Sequence, residues 1–212
     1  MPIQAKICGL NSAAAVRAAA SADFAGFVFY KPSPRYVTPE TAAKLAQPLA
    51  RRTLRVALMV DPDDSTLRLT LARFRPDLLQ LHGRESPARV AAIRNAFSLK
   101  IMKAIAVAHA SDLDAAAAYA GVADLLLFDA RPPDLPGALP GGNAVAFDWR
   151  LLAGRGWSVP WLLSGGLNAA NLAEAVRISG AQGVDVSSGV EDRPGHKDPA
   201  RIKAFLAASR TL

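Results

Sequence analysis

The sequence is poor in the residues that build disulfide frameworks and metal centres. Cys8 is the single cysteine in 212 residues, which excludes an internal disulfide and suits a reducing cytoplasm. The histidines at positions 82, 109 and 196 are scattered, and no Cys/His cluster has zinc spacing. No metal site is therefore expected. No run of roughly 18 apolar residues is present, so no membrane span is expected. The chain does not open with a basic segment, an apolar stretch and a cleavage site, so secretion is not expected either. Clustered basic charge is also missing. The formal net charge is +7 and the pI is near 10.0, a balance that invites a nucleic-acid reading. Yet Arg51-Arg52 is the only adjacent Lys/Arg pair, and no aromatic residues interleave with a basic cluster. The positive field suits a small polyanion better than a nucleic acid.

What is present is a repeating alternation. The hydrophobic fraction of 51% and charged fraction of 20% are those of a soluble globular protein. The length fits one domain spanning 1–212. Short β-type runs alternate with helical runs, with Gly, Pro, Asp and Ser at the joints. Strands are predicted over Ile3–Cys8, Phe24–Phe29, Arg55–Val60, Leu78–Leu81, Lys100–Ile105, Leu125–Phe128, Trp161–Ser164 and Gly183–Val186. Helices are predicted between them, including Asn11–Ala22, Ser111–Tyr119 and a run from Asn168 to Ser179. A Pro/Gly-rich loop from Arg131 to Asn143 reads as a functional excursion rather than a linker. Eight strand–helix units imply a parallel sheet and suggest closure into a compact single-domain (β/α)8 TIM barrel. The rival is an open doubly wound sheet, which would carry a glycine-rich turn after its first strand; only Cys8-Gly9-Leu10 stands there.

The most informative stretch runs from Trp161 to Glu191. A strand leads into Ser164-Gly165-Gly166-Leu167-Asn168, a helix follows that Asn168 can cap, and a second strand ends in Ser187-Ser188-Gly189. Glycines at a strand exit let the backbone approach a ligand. Adjacent strands ending in N–H-rich turns form an anion site, as the loops after strands seven and eight do in such barrels. Two ordinary strand-to-helix turns are the plainer reading of each turn taken alone. Together, Gly165, Gly166, Ser187 and Ser188 point to a phosphate clamp.

Barrel chemistry sits at the C-terminal strand ends. Strand parity puts Gln4, Lys6 and Cys8 on one face of the first strand and Ile3 and Ile7 on the other. Lys6 and Cys8 are expected to face inward, and a nearby cation would favour the thiolate and make Cys8 a usable base; a buried space-filling cysteine is the alternative. Asp129 follows Leu125–Phe128, where an unpaired carboxylate is costly. It could be a general acid with its pKa raised by apolar surroundings, or a cap. Arg35, in a loop stiffened by Pro32 and Pro34, could grip a carboxylate through two hydrogen bonds or lie on the surface. His82 ends strand four, with Gln80 on the same inward face, and either touches substrate or is a hydrogen-bonded rim histidine. Lys103, if it faced inward, would allow Schiff-base chemistry.

These pieces occur in an order that resembles the phosphoribosylanthranilate isomerase family of tryptophan biosynthesis. The marks are Lys6-Ile7-Cys8-Gly9-Leu10, Ser33-Pro34-Arg35-Tyr36, Gln80-Leu81-His82-Gly83, Asp129, Phe147-Asp148-Trp149, Ser164-Gly165-Gly166-Leu167 and Val184-Asp185-Val186-Ser187-Ser188-Gly189-Val190-Glu191. The resemblance implies an Amadori rearrangement of N-(5-phosphoribosyl)anthranilate without cofactor or metal. It makes Asp129 the general acid, Cys8 the general base and Arg35 the anchor of the anthranilate carboxylate, with the Gly165-Gly166 and Ser187-Ser188 turns on the phosphate. The implied partner is this small molecule, with no nucleic acid or membrane; monomer and homodimer both remain open. One departure stands out: after Gly141-Gly142 the family usually has Thr or Ser and then Gly, where this chain has Asn143-Ala144, so loop six is expected to close differently. A different phosphosugar enzyme, such as an epimerase or a lyase using Lys103, and a noncatalytic phosphate-ligand barrel are the competing readings.

Overall fold

A ring of eight parallel strands closes in sequence order, β1-β2-β3-β4-β5-β6-β7-β8. The computed structural model describes residues 3–132, 139–143 and 146–212. The strands are β1 Gln4–Cys8, β2 Phe24–Val28, β3 Leu54–Met59, β4 Leu78–Leu81, β5 Lys100–Val107, β6 Leu125–Ala130, β7 Trp161–Leu163 and β8 Gly183–Val186. Between and after them run α1 Ala13–Ala18, α2 Pro39–Ala46, α3 Asp64–Arg73, α4 Pro87–Phe97, α5 Ala110–Ala116, α6 Leu172–Ser179 and α7 Pro199–Arg210. The ring closes where β1 pairs with β8, which sets Lys6 opposite Asp185.

Strand parity divides the core in two. Phe24, Val56, Leu78, Met102, Leu127 and Leu162 point into the ring and fill its lower end. Their alternates, among them Ile7, Phe27, Leu79, Ile101, Phe128 and Val184, face the helices in one large outer core. An inward apolar plug below leaves the inward polar residues of each strand at the opposite, C-terminal mouth. Helices α1, α2, α3, α4 and α7 start on side-chain caps: Ser12, Thr38, Asp63, Ser86 and Asp198 each accept a hydrogen bond from a first-turn N–H. Prolines open α2, α4 and α7, where no N–H is needed. At the lower rim one device recurs. Asp23, Asp77 and Asp124, each just before an even strand, accept from the N–H of Ala5, Arg55 and Ile101 in the preceding odd strand, at 2.8 Å each. This pins alternate strand pairs at the end away from the mouth.

Several predicted boundaries move. The helix expected from Asn11 is only Ala13–Ala18, ending in a turn. The one expected over Ser111–Tyr119 is α5 followed by a 3-10 turn, Ala117–Tyr119. Asn168 does not cap α6. Its side chain accepts from Ala170 and Asn171 N–H and closes a separate turn, so the helix begins only at Leu172. Strand β6 extends through Asp129 to Ala130, because Asp129 and Ala130 still pair with Ala106 and Val107 of β5. A small hairpin, β9 Glu191–Arg193 and β10 His196–Lys197, intervenes before α7 and was not anticipated. Much of the predicted Pro/Gly excursion, together with Ala144 of the family departure, lies outside the described residues.

Candidate active site

The mouth of the ring holds a cavity lined by Cys8, Arg35, His82, Asp129, Gly165, Gly166, Ser187 and Ser188. Strand order fixes the arrangement around it. From Asp129 on β6, the ring runs through the turn after β7, the turn after β8, then Cys8 at the end of β1. The two turns thus lie between the carboxyl group and the thiol.

Cys8 faces inward as predicted, above Lys6. The inward position beside them on β2 is Gly26, where any Cβ would sit 3.2 Å from Cys8 Sγ and 3.3 Å from Lys6 Nζ. The expected activation of the thiol is overturned. Burial pushes the Cys8 thiol above its usual range; Lys6 opposes this only in part, and Asp185 adds to it. Burial is the largest cause, and Lys6, which counters it, is shared with Asp185. Its Nζ donates to Asp185 Oδ1 at 2.9 Å, and Asp185 Oδ2 accepts from Ser164 Oγ at 3.2 Å. Burial works against the Lys6 ammonium, but Asp185 and Cys8 together carry its pKa above the ordinary value.

Asp129 does not sit in the apolar surroundings expected of it. Oδ1 accepts from Ala130 N–H at 2.9 Å, and Oδ2 lies 3.3 Å from His82 Nε2. His82 Nδ1 is 2.8 Å from Gln80 Nε2. A proton on Nε2 would let the ring donate toward Asp129 while Nδ1 accepts from Gln80 Nε2. Gln80 Oε1 is buried without a partner among the described residues. Over this pair lies Gly141, where a Cβ would come within 2.6 Å of His82 Nε2 and 2.7 Å of Asp129 Oδ2. The short loop carrying it is closed by Asn143 Nδ2 donating to Leu139 O at 2.7 Å.

Arg35 is buried at 5% exposure, which settles it as no surface residue. Nε donates to Glu191 Oε1 at 2.7 Å, while Nη2 donates to Glu191 Oε2 at 2.9 Å and to Gly142 O at 3.1 Å. The same carboxylate accepts from Lys197 Nζ at 2.7 Å. Lys197 also donates to Ser187 O at 2.9 Å and Ser187 Oγ at 3.1 Å, so it reaches the second phosphate turn. Burial, opposed by Glu191, brings the Lys197 ammonium down to about 8. Burial tends to raise Glu191, but hydrogen bonds from Arg35 and the charge of Lys197 hold it below its ordinary value. Sequence reasoning missed Glu191 and Lys197. Glu191 stands in the family-like segment without a role of its own, and nothing around Lys197 marks it.

The two turns expose donors. Gly165 and Gly166 both have positive φ, at +87° and +66°, a conformation that costs glycine little. A Cβ on Gly165 would meet Ala130 N at 2.8 Å. Among the described residues, no acceptor takes the N–H of Gly165, Gly166, Ser187 or Ser188. Such unclaimed N–H groups form a nest for an anion. Lys103, by contrast, does not face the cavity. It pairs with Leu81 in the register where Gln80 pairs with Met102, which puts it on the helix side of the ring. There it is ion-paired to Glu85 at 2.8 Å, so the lyase reading loses its nucleophile.

A closed (β/α)8 barrel with a thiol and a carboxyl group facing across unclaimed backbone N–H groups is a phosphate-binding barrel of the acid–base kind. The comparisons place it further. The model of the N-(5'phosphoribosyl)anthranilate (PRA) isomerase family matches residues 5–208, and the chain belongs to that family. It is 58% identical over 214 residues to the N-(5'-phosphoribosyl)anthranilate isomerase of Rhodospirillum centenum, with 100% of both chains covered. It superposes on the phosphoribosyl anthranilate isomerase from Thermotoga maritima with a TM-score of 0.85 at 32% identity, covering 99% of this chain and 100% of that one. A phosphoribosyl anthranilate isomerase in complex with reduced 1-(o-carboxyphenylamino)-1-deoxyribulose 5-phosphate gives 0.83 at 30% identity, with 99% and 100% covered.

Proposed function

We propose that the chain acts as one catalytic barrel and converts N-(5-phosphoribosyl)anthranilate to 1-(2-carboxyphenylamino)-1-deoxyribulose 5-phosphate, the isomerase step of tryptophan biosynthesis. The observation that carries this reading is the order around the mouth: carboxyl group, anion turn, anion turn, thiol. A phosphate seated in the N–H groups of Gly165, Gly166, Ser187 and Ser188 places the sugar between Asp129 and Cys8. Asp129 protonates the ribose ring oxygen while the anilino nitrogen pushes its lone pair toward C1′. The C1′–O bond breaks and a Schiff base forms. Cys8, as thiolate, takes the proton from C2′, and the C–H electrons neutralise the nitrogen to give the enolamine. Tautomerisation to the ketone completes an isomerisation with no net oxidation. His82, donating from Nε2, holds the Asp129 carboxyl group toward the ring oxygen.

Arg35 anchors the anthranilate carboxylate. Glu191 takes Nε and Nη2 and so fixes the plane of the guanidinium, leaving Nη1 as the arm for the substrate. The residues assigned here come from one chain, and the partner is the small molecule itself. Growth of a tryptophan-requiring strain that lacks this isomerase tests the reading: the wild-type sequence restores growth, and failure of a well-expressed, folded protein to do so overturns it.

A further inference from the structure

We propose that Lys103, with Glu85, is a positioning residue that aims His82 at Asp129 from behind the barrel wall. The inference rests on the reading above, in which the His82–Asp129 pair forms the acid half of the site.

Lys103 and Glu85 are each only 2% exposed at the side chain. A buried ion pair is an expensive feature in a helix-facing layer filled mainly by apolar residues, and it does not by itself add stability. Most of its bonds go to the turn that carries His82. Lys103 Nζ donates to Leu81 O at 3.3 Å and to Gly83 O at 2.8 Å, the carbonyls on either side of His82. Glu85 accepts from Gly83 N–H through both oxygens, at 3.1 and 3.0 Å, and from Asp61 N–H at 2.9 Å. Asp61 in turn accepts from Arg84 N–H at 2.7 Å, which ties the turn after β3 to the turn after β4. Tyr119 closes the outer side. Its hydroxyl donates to Glu85 O at 3.0 Å, and Lys103 Nζ lies 5.6 Å from its ring centroid.

The turn that bears His82 is therefore held through its backbone on both sides of the histidine. His82 itself makes a long 3.3 Å contact to Asp129, a distance at which a small rotation of the turn decides whether a hydrogen bond exists. An ammonium holding two carbonyls of a single turn supplies that rotational restraint, and no aliphatic side chain of the same volume could.

A double-mutant cycle tests this. The charge-neutral pair Lys103→Met/Glu85→Gln avoids leaving a lone buried charge, and it is measured in the wild-type and His82→Asn backgrounds. The expected result is a loss in kcat of about tenfold or more with KM within about twofold, shrinking to less than about twofold in the His82→Asn background. Equal losses in both backgrounds would overturn the proposal, since a general loosening of the barrel does not need His82. So would unchanged kcat, or a His82→Asn variant that turns over like wild type.

Imidazole 15N shifts of His82 in the free protein give a readout that needs no substrate. Wild type is expected to show one tautomer protonated at Nε2, and the pair variant a mixture; an unchanged spectrum overturns the proposal. Should the pair variant fail to fold, Glu85→Gln alone is read in both assays with the same expectations. Failure of the isomerase reading would show as a wild-type protein without turnover, while the spectrum would still test the clamp.

Discussion

Glu191→Gln isolates the carboxylate that links the two ends of the proposed substrate. In the wild type that group accepts from Arg35 Nε, Arg35 Nη2, Lys197 Nζ and, at 3.2 Å, Gly195 N–H. Its side chain is 4% exposed. Each oxygen serves two donors, so a glutamine must turn its NH₂ toward two of these donors whichever way it flips, and it removes the negative charge that pairs with two buried cations. Removing one partner of a buried ion pair costs about 3–5 kcal/mol. With a urea slope of about 2 kcal/mol per molar, the unfolding midpoint should fall by about 2 M at pH 7. Sign and pH window follow from the depressed Glu191 pKa. A carboxyl group held below its ordinary 4.5 stabilises the fold in full above that value and loses the contribution as pH falls through the folded value. The gap between wild type and Glu191→Gln should therefore be full at pH 7 and narrow below about pH 4. Arg35 also loses its planar support, and KM should rise about tenfold, equivalent to about 1.4 kcal/mol. A midpoint shift below about 0.5 M at pH 7, or a gap independent of pH, would refute the argument that this carboxylate holds the network.

Further outcomes follow from the same geometry. Because burial raises the Cys8 thiol and a base must act as thiolate, kcat/KM should climb with pH through neutrality into the alkaline range, and a flat profile from pH 7 to 9 would speak against Cys8 as base. Lys197 is brought from 10.5 to about 8, so the unfolded chain binds more protons between those values and stability attributable to this group rises with pH across that window. At about 1.4 kcal/mol per pKa unit the penalty below pH 8 is about 3 kcal/mol, read as the difference in urea unfolding between wild type and Lys197→Met at pH 7.5 and pH 10. Gly141→Ala should lower kcat by about tenfold or more, because its methyl group would press within 2.6 Å of His82 Nε2; a fully active variant would show that the loop does not hold this position during turnover.

How much of this was legible depended on whether the cause was local. Strand parity sufficed for Cys8, since a period of two forces every second residue inward once one face is apolar, and Asp129 was marked by standing as a carboxylate at the end of a wholly apolar strand. The Gly165-Gly166 and Ser187-Ser188 turns were legible because glycine and serine after a strand have a backbone reason to be there. The state of those groups was not. Cys8 reads as activated by Lys6 until its burial, and the sharing of that ammonium with Asp185, 179 residues beyond Lys6, are seen. Arg35 and Glu191 meet across 156 residues through an unanticipated hairpin. Lys103 stays an open candidate for the lumen because nothing beside it in the sequence fixes which way it faces. Its partner Glu85 lies in a loop with no periodicity to announce it. The helix start at Leu172 rather than Asn168 has the same character: asparagine side chains close turns as readily as they cap helices.

The central claim is that a carboxyl group on β6 and a thiol on β1 share the proton transfers of one sugar held by its phosphate between them. Steady-state turnover of N-(5-phosphoribosyl)anthranilate by Asp129→Asn and by Cys8→Ser, alongside calorimetric Kd values for the product, tests it most directly. The account predicts that each substitution lowers kcat by at least about 10²–10⁴-fold while product Kd stays within about threefold, because the phosphate turns and Arg35 are untouched. Near-wild-type kcat in either variant, or a loss of turnover fully matched by a loss of product binding, would contradict it.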